Sequence, residues 1–383
     1  MRNAILIEIA RDAIFALGRE LAGWKPSAER ALFGIEAVIS VGLAVAFAHM
    51  LKLPDVWWAA ISGFAVMQTS FALSVERAML RVLGTILGAL VGTLAGPQIG
   101  DLPWLFVPLL GAISGFTIYR ANAGSASYGW VLGGVTAVMV IYQAHELHTF
   151  KPTAQFALLR VVDVCVGVFA CVLVSGIFHV GRRWRPQHGL ASTSNEATNS
   201  MSTGTQPSFE TQRLVRAELA IQAAVAVVIV ASLTYAFKLQ GLAQALVTII
   251  AVLILPSSQL VPSRKPVMQK MIQRMIGCLF AGPVGIALLP LVSGHDIPYL
   301  LALSAGVWVG CHLQTGQQGA SYIGRQFAIA FILVFVQDSF WSVDPAAAAW
   351  RFSGIVGGIL ALGCVMLVWS KFELSPSAHD VLR

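Results

Sequence analysis

The chain has 383 residues, of which 57% are hydrophobic and only 11% are charged, and its mean hydropathy is +0.75. Soluble globular proteins carry about 25% charged residues, so the composition excludes a soluble enzyme, a nucleic-acid-binding module and a disordered tail. The formal net charge of +7 does not indicate nucleic-acid binding, because the basic residues lie mainly between apolar segments. Runs of about 20 apolar residues span a bilayer, and several occur here. The sequence therefore predicts an all-α integral membrane protein.

Residues 1–30 predict an amphipathic helix that lies in the membrane interface. Glu8, Arg11 and Asp12 interrupt the apolar segment that a cleavable signal peptide requires. Apolar residues recur every three or four positions along one helix face, as the period of an α-helix demands. That face consists of Leu6, Ala10, Ile14, Leu17 and Leu21.

Twelve apolar spans follow, six on each side of a polar linker at 181–216 that is rich in Ser, Thr and Asn. With the N-terminus inside, 20 of the 25 Lys and Arg residues fall on the inner side, as the positive-inside rule requires. Both termini, including a tail at 372–383, are then cytoplasmic. The predicted spans are 31–51, 56–75, 82–100, 102–119, 126–144, 153–180, 219–237, 239–261, 275–294, 297–313, 320–338 and 346–370.

Residues 31–180 and 217–371 match each other at nearly constant offsets of 191 to 195. Each half has an even number of spans, so we expect two parallel six-helix repeats related by an axis along the membrane normal. The matched pairs are Arg81 with Arg274, Gly84 with Gly277, Gly92 with Gly285, Tyr128 with Tyr322 and Arg160 with Arg351.

Glycines recur every fourth residue along one face of the third span. Small residues at this spacing let helix backbones approach closely in lipid. The predicted helix-packing positions are Gly84, Gly88 and Gly92, with Gly277 and Gly285 in the second half.

Enzyme signatures are missing from the sequence, which has no GxxxxGK[ST] loop, GxSxG elbow, HExxH motif or CxxC pair. His145 and His148 lack zincin spacing, and we interpret them as part of a solvated outer loop. The five cysteines lie in apolar runs and indicate small apolar packing. No catalytic residue, cofactor or metal is predicted.

Charged residues within the spans are informative, because burying a charge in the membrane is costly and such residues usually face a cavity or a partner. Arg160 and Asp163 are three residues apart and could neutralise each other. Arg351, the counterpart of Arg160, has Gly354 at the place of Asp163. Arg351 either extends to the outer interface or joins Arg160 in a positive lining suited to a carboxylate.

Other polar and aromatic positions leave alternatives open. Glu36, whose counterpart is Gln222, is either a proton carrier or a hydrogen-bond partner of a neighbouring helix. Trp58 either anchors the outer interface or stacks on an aromatic substrate. Gln68 and Ser70, with Ser258 at the matching place in the second half, are candidates for lining a cavity.

The segment from Trp58 through Met67-Gln68 and Glu76-Arg77 to Arg81-Val-Leu-Gly84 resembles the fusaric acid resistance protein-like family, which belongs with the aromatic acid exporters. The resemblance covers 54–96, with a weaker copy at 242–285. It implies an inner-membrane efflux protein for aromatic carboxylic acids or related organic anions. Members often act with a periplasmic adaptor and an outer-membrane channel.

Taken together, the residues and the resemblance predict a multi-pass bacterial inner-membrane exporter of organic anions, driven by protons. Arg160, Arg351, Gln68, Trp58, Ser70 and Ser258 are assigned to the substrate pathway, and Glu36 and Asp163 to proton coupling. The expected partners are the anion, the bilayer, the adaptor with its channel and further copies of the chain, but no nucleic acid. A passive anion channel and a non-transporting membrane subunit are the alternatives.

Overall fold

The computed structural model describes residues 2–23, 27–100, 102–124, 126–184, 208–238, 242–292, 294–337 and 344–372. Within these ranges the chain is helical, and no strand occurs. A short 3-10 turn, Ser257–Gln259, follows the ninth helix. The helices are α1 (Arg2–Ala22), α2 (Ala28–Met50), α3 (Val56–Ala65), α4 (Phe71–Ile99), α5 (Pro103–Ala121), α6 (Ser127–Leu147), α7 (Phe150–Trp184), α8 (Phe209–Phe237), α9 (Leu242–Leu253), α10 (Lys265–Val292), α11 (Asp296–Gln314), α12 (Ser321–Phe335) and α13 (Pro345–Phe372).

Each predicted span overlaps one of the helices α2 to α13. Eight helices in the described ranges, α2, α4, α5, α7, α8, α10, α11 and α13, are long and apolar enough to cross a membrane. Helices α3, α9 and α12 are apolar but shorter, and α6 is long enough but less apolar. The protein is therefore a multi-pass membrane protein, while the count of twelve spans stays a prediction. Most of the predicted linker (185–207) and the tail after 372 lie outside the described residues.

Helices α3 and α9 end partway through their predicted spans, and polar side chains satisfy the backbone where they stop. After α3, the backbone N–H of Gln68 donates to Ser74 Oγ at 2.9 Å, and Ser70 caps the start of α4. After α9, Pro256 cannot continue a helix. The buried Asn122 side chain accepts from Leu255 N at 2.8 Å and donates to Leu253 O at 3.0 Å.

Helix contacts in the first half recur in the second. Helix α4 packs on α6 as α10 packs on α12, and α3 packs on α7 as α9 packs on α13. The two halves also interlock, because α5 packs on α8 while α11 packs on α2. The apolar core is consequently shared between the halves.

The glycine face of α4 is the surface on which α6 packs. A Cβ added at Gly92 would lie 2.5 Å from Val140 Cβ, and one added at Gly84 or Gly88 would overlap a backbone carbonyl of α6. In the second half, a Cβ at Gly277 would lie 2.7 Å from Ile323 O, and one at Gly285 would lie 2.9 Å from Val334 Cγ1. These glycines thus lie in helix contacts that leave no room for a Cβ.

Helix α1 packs on α10 and α11 through one side and leaves apolar side chains exposed on another. Leu17 and Ala13 are buried against Leu313 and Ile323. Ile14 of the predicted apolar face is 56% exposed, and Leu6 and Leu21 are also exposed. These exposed side chains are available to lipid, and the interfacial position of α1 stays a prediction.

The close approach of α10 and α12 predicts that Gly277→Ala lowers thermal stability. The new methyl group would press on a backbone carbonyl, and overpacking of this kind costs about 1–3 kcal/mol. The control is Gly42→Ala, where nothing lies within 4 Å of the added Cβ. Thermal unfolding of the detergent-purified variants measures the difference, and equal melting temperatures would contradict the packing argument.

Candidate functional site

The half-helix α3 carries two adjacent tryptophans into the interior of the bundle. Trp57 and Trp58 are 6% and 7% exposed, and their ring centroids are 3.8 Å apart. Helix α3 packs against α2, α7 and α12. The rings therefore lie inside the protein rather than in an exposed belt at the membrane surface.

Arg160 of α7 lies directly over this tryptophan pair. Its guanidinium carbon is 3.0 Å from the centroid of the Trp58 ring. The side chain is 2% exposed, and none of its three guanidinium nitrogens has a hydrogen-bond partner among the described residues. Trp57 Nε1 is likewise buried without a described acceptor. Four N–H-bearing nitrogens thus lie close together without an acceptor from the described part of the chain.

Arg351 of α13 reaches the same pair from the second half. Its guanidinium carbon is 4.9 Å from the centroid of the Trp57 ring. Its Nη1 donates to Leu333 O at 3.1 Å and to Val336 O at 3.2 Å, at the end of α12. The two arginines predicted to act together are therefore joined through Trp57 and Trp58.

Asp163 lies three residues after Arg160 and is fully buried. It is close enough for its charge to act on Arg160, as are Asp55 and the positively charged Arg81. The surroundings of Arg160 therefore contain two acidic groups and a second cation.

Arg81 of α4 positions the half-helix that carries the tryptophans. It is 3% exposed, and its Nε donates to Ser62 Oγ at 3.1 Å. The Ser62 hydroxyl in turn donates to Trp58 O at 2.7 Å. Arg81 Nη1 also donates to Tyr128 Oη of α6 at 2.7 Å. This chain of hydrogen bonds ties α3 to α4 and α6.

The second half repeats this arrangement on α9. Arg274 Nη2 donates to Thr248 Oγ1 at 3.0 Å, and Thr248 donates to Gln244 O at 2.7 Å. Arg274 Nη1 donates to Gln326 Oε1 of α12. Sequence reasoning used Arg81 and Arg274 only as markers of duplication. Each lies immediately before a predicted span, 82–100 or 275–294, and its charge beside an apolar run was the available signal for this role.

A cavity of about 1090 Å³, hereafter the vestibule, opens beside the end of α3. Met67 and Gln68 line it where α3 has stopped, so the candidate Gln68 faces this space. Its other lining residues come from α1, from the start of α2 and the residue before it, from the segment between α3 and α4, and from the end of α11 to the start of α12. They are Arg19, Glu20, Ser27, Glu29, Arg30, Leu32, Phe33, Thr69, Gln314, Thr315, Gln317, Gln318, Ser321 and Arg325, together with Gly23.

An ion pair joins α1 to α2 in the vestibule wall. Arg30 Nη2 lies 2.5 Å from Glu20 Oε1, and the Glu20 side chain is 4% exposed. Gln318 N donates to Glu20 Oε2 at 3.1 Å, and Arg30 Nε donates to Thr315 Oγ1 at 3.3 Å. These bonds link α1 and α2 to the segment between α11 and α12.

The remaining candidates lie apart from the arginine–tryptophan site. Glu36 is 4% exposed on α2 and acts electrostatically on Cys171 of α7, whereas its counterpart Gln222 donates to Glu218 at 2.8 Å. Ser70 caps α4 and is exposed, and Ser258 is exposed in the turn after α9. Neither serine lines the vestibule. Within the described residues, no group of three or more His, Cys, Asp or Glu is arranged to hold a metal ion.

A comparison of the sequence with known protein families matches part of the chain. Residues 30–210 match the model of the Fusaric acid resistance protein family. The match confirms the resemblance inferred from 54–96 and includes α2 to α7, with Trp58, Arg81 and Arg160. Arg351 lies outside the matched region.

Curated relatives match a shorter part of the chain. The "Uncharacterized transporter YdhK" of Salmonella typhimurium strain LT2 is 24% identical over 138 residues, which is 36% of this chain and 20% of that protein. The protein of the same name from Escherichia coli K12 is 23% identical over 150 residues, or 39% of this chain and 21% of the relative. The matched segment is therefore about a fifth of the length of these relatives. No solved structure matches the chain significantly.

The hydrogen bonds from Arg81 to Ser62 and from Arg274 to Thr248 predict that Ser62→Ala and Thr248→Val destabilise the protein to a similar extent. Each change removes an acceptor from a buried arginine, and an unsatisfied buried donor costs about 1–3 kcal/mol. Ser353→Ala is the control, because Ser353 is exposed and donates only to Trp350 O of its own helix. Melting temperatures in detergent give the comparison, and a Ser62→Ala variant as stable as the control would refute the bridge.

Proposed function

We propose that the protein is a secondary transporter that exports aromatic carboxylates or related organic anions across the bacterial inner membrane. The observation that carries the proposal is the placement of Arg160 and Arg351, one from each half, on the buried Trp57–Trp58 pair. The proposal includes twelve spans in two parallel repeats, with both termini in the cytoplasm.

A carboxylate suits this site because its charge and geometry complement a guanidinium group. Carboxylates accept paired hydrogen bonds from arginine, and the nitrogens of Arg160 have no acceptor among the described residues. The adjoining rings of Trp57 and Trp58 favour a substrate with an aromatic body, since aromatic groups pack well in offset or edge-to-face contact. Together these features support an aromatic acid as substrate.

The matched helix contacts support the duplicated architecture. The hydrogen bonds that run from a buried arginine through a hydroxyl group to a backbone carbonyl, in both α3 and α9, support it as well. The distribution of Lys and Arg between the two sides supports cytoplasmic termini. In this orientation the vestibule opens to the cytoplasm, where an exported anion would enter.

Two buried carboxylic side chains support proton coupling. Glu36 is 4% exposed and Asp163 is fully buried. A carboxyl group that alternates between buried and hydrated surroundings changes its proton affinity, which is what a proton-driven step requires. We assign this step to Glu36 and Asp163. The proposal also includes transfer of the substrate to a periplasmic adaptor and outer-membrane channel, and assembly with further copies of the chain.

Uptake of labelled 4-hydroxybenzoate into proteoliposomes, with and without an imposed pH gradient, tests the proposal. Accumulation that depends on the gradient is the expected result. Equilibration without accumulation would identify a passive anion channel instead. No flux of any member of a panel of aromatic and aliphatic carboxylates would overturn transport and favour a structural membrane subunit.

Arg160→Gln is expected to reduce transport of 4-hydroxybenzoate about 10- to 100-fold. Loss of a hydrogen bond to a charged partner costs about 1.5–3 kcal/mol, which corresponds to this range. Arg120→Gln is the control, because Arg120 is exposed and stacks on Trp130 away from the site. Initial rates are normalised to the reconstituted protein, and undiminished transport in Arg160→Gln would exclude Arg160 from the substrate site.

Glu36→Gln is expected to retain flux but to abolish accumulation driven by the pH gradient, because the amide cannot carry a proton. Glu146→Gln, at an exposed position in the last turn of α6, is the control and should accumulate substrate normally. The ratio of internal to external label with and without the gradient measures coupling. Unchanged accumulation in Glu36→Gln would assign proton transfer elsewhere.

A further inference from the structure

An apolar groove of about 570 Å³ runs between α4, α5 and α6. Helix α6 packs on both α4 and α5, whereas α4 and α5 barely contact each other, which leaves a gap between them. None of the described residues that line the groove is charged, and Thr117 carries its only side-chain hydroxyl group. The lining residues are Leu80, Leu83, Gly84, Leu87, Gly88, Val91, Ala112, Ile113, Phe116, Thr117, Ala126, Gly129, Trp130, Gly133, Gly134 and Ala137.

The walls of the groove are exposed at the surface of the bundle. Leu83, Leu87 and Phe116 are 58%, 63% and 57% exposed. Because α4 is one of the helices that can cross a membrane, these side chains face lipid tails. On α4 the groove extends from Leu80 to Val91, which is about 16 Å at the rise of an α-helix. The hydrocarbon layer of one leaflet is similarly thick, since the whole apolar core of a bilayer measures about 30 Å. One extended acyl chain therefore fits along the groove.

A cation lies at one end of the groove. The guanidinium carbon of Arg120, in the last turn of α5, is 4.9 Å from the centroid of the Trp130 ring, and Trp130 lines the groove. Phe116, one turn before Arg120, packs edge-on against the same ring, with the ring centroids 5.6 Å apart. Arg120 is exposed, and within the described ranges it forms no ion pair. Its positive charge is therefore available where α5 ends and the groove begins.

An exposed cation at the end of an apolar groove complements a ligand with an anionic head and an apolar tail. Guanidinium groups bind phosphate through paired hydrogen bonds, and basic residues at the membrane surface attract anionic lipids. A second copy of the chain suits the groove less well. In copies that share one orientation in the membrane, a two-fold axis at the groove would bring the two Arg120 side chains close together at the same depth. Their like charges would then repel each other.

We infer that the groove binds one anionic phospholipid, with an acyl chain along Leu83, Leu87 and Phe116 and the phosphate on Arg120. This site depends on the membrane-spanning helices and not on the proposed transport function. The groove shares no residue with the arginine–tryptophan site or the vestibule. Loss of the lipid in Arg120→Gln is therefore expected to leave transport of 4-hydroxybenzoate unchanged.

Native mass spectrometry of the full chain counts the bound lipid directly. The delipidated protein in detergent is mixed with equal amounts of phosphatidylglycerol and phosphatidylcholine of the same acyl composition. We expect the wild-type chain to retain one phosphatidylglycerol. Its affinity for phosphatidylglycerol should be about fivefold higher than for phosphatidylcholine, as one arginine near an anionic headgroup predicts.

Substitutions separate the headgroup contact from the acyl-chain contact. Arg120→Gln should abolish the preference for phosphatidylglycerol, whereas Arg120→Lys, which keeps the charge, should retain it. Ala112→Phe fills the groove from an exposed lining position and should weaken the binding of both lipids. Arg11→Gln and Ala287→Phe are the matched controls and should bind lipid like the wild type, because both residues are exposed and neither lines the groove.

Three results would overturn the lipid site. Equal affinity of the wild-type chain for the two lipids would exclude recognition of the headgroup charge. An unchanged preference for phosphatidylglycerol in Arg120→Gln would exclude Arg120 from the site. A wild-type dimer that dissociates in Ala112→Phe would assign the groove to a contact between copies of the chain.

Thermal unfolding gives a second readout that poor folding of a variant would not reproduce. Phosphatidylglycerol should raise the melting temperature of the wild type more than phosphatidylcholine does, because a ligand that binds only the folded state stabilises it. This difference between the lipids should vanish in Arg120→Gln and persist in Arg11→Gln. A difference that persists in Arg120→Gln would contradict the assignment of the phosphate to Arg120.

Discussion

The architecture depends on two helices that stop inside an apolar bundle. In a bilayer every backbone polar group needs a partner within the protein, so α3 and α9 require side chains that satisfy the exposed ends of the chain. Ser74 and Asn122 supply bonds after the two breaks. Buried arginines on α4 and α10 fix the helices themselves through Ser62 and Thr248. A helix that stops inside the bundle can thereby place backbone polar groups and a cavity in the interior, where a continuous helix would present only side chains.

In both halves a buried arginine holds a short helix through a hydroxyl group, but the two short helices carry different side chains. On α3, the hydroxyl bridge ends at the carbonyl of Trp58, whose ring lies beneath Arg160. On α9, the matching carbonyl belongs to Gln244, which offers no aromatic ring. Arg351, the counterpart of Arg160, contacts Trp57 of the first half. The two halves thus contribute one cation each to a composite site on a single half-helix.

Much of the fold follows from sequence because hydropathy and glycine spacing are local signals. The helix positions and the glycine packing face of α4 could be read this way, but not the helix that packs on that face. The sequence could pair Arg160 with Arg351 by their offset. It could not show that they meet on Trp57 and Trp58, because a sequence does not tell whether a tryptophan at the start of a helix faces the protein interior or the lipid. Helix α3 was expected to extend over 56–75, yet it ends at Ala65. The vestibule arises from packing between distant segments, which no local pattern encodes.

The interlocking of α5 with α8, and of α2 with α11, bears on how the protein is assembled during synthesis. Gly111 and Gly115 on α5 pack closely against Val228 and Ala220 of α8. Translation places α5 in the bilayer before α8 has left the ribosome, so this small-residue surface first faces lipid. The surface that α5 presents to α8 is therefore completed only after α8 has been synthesised and inserted.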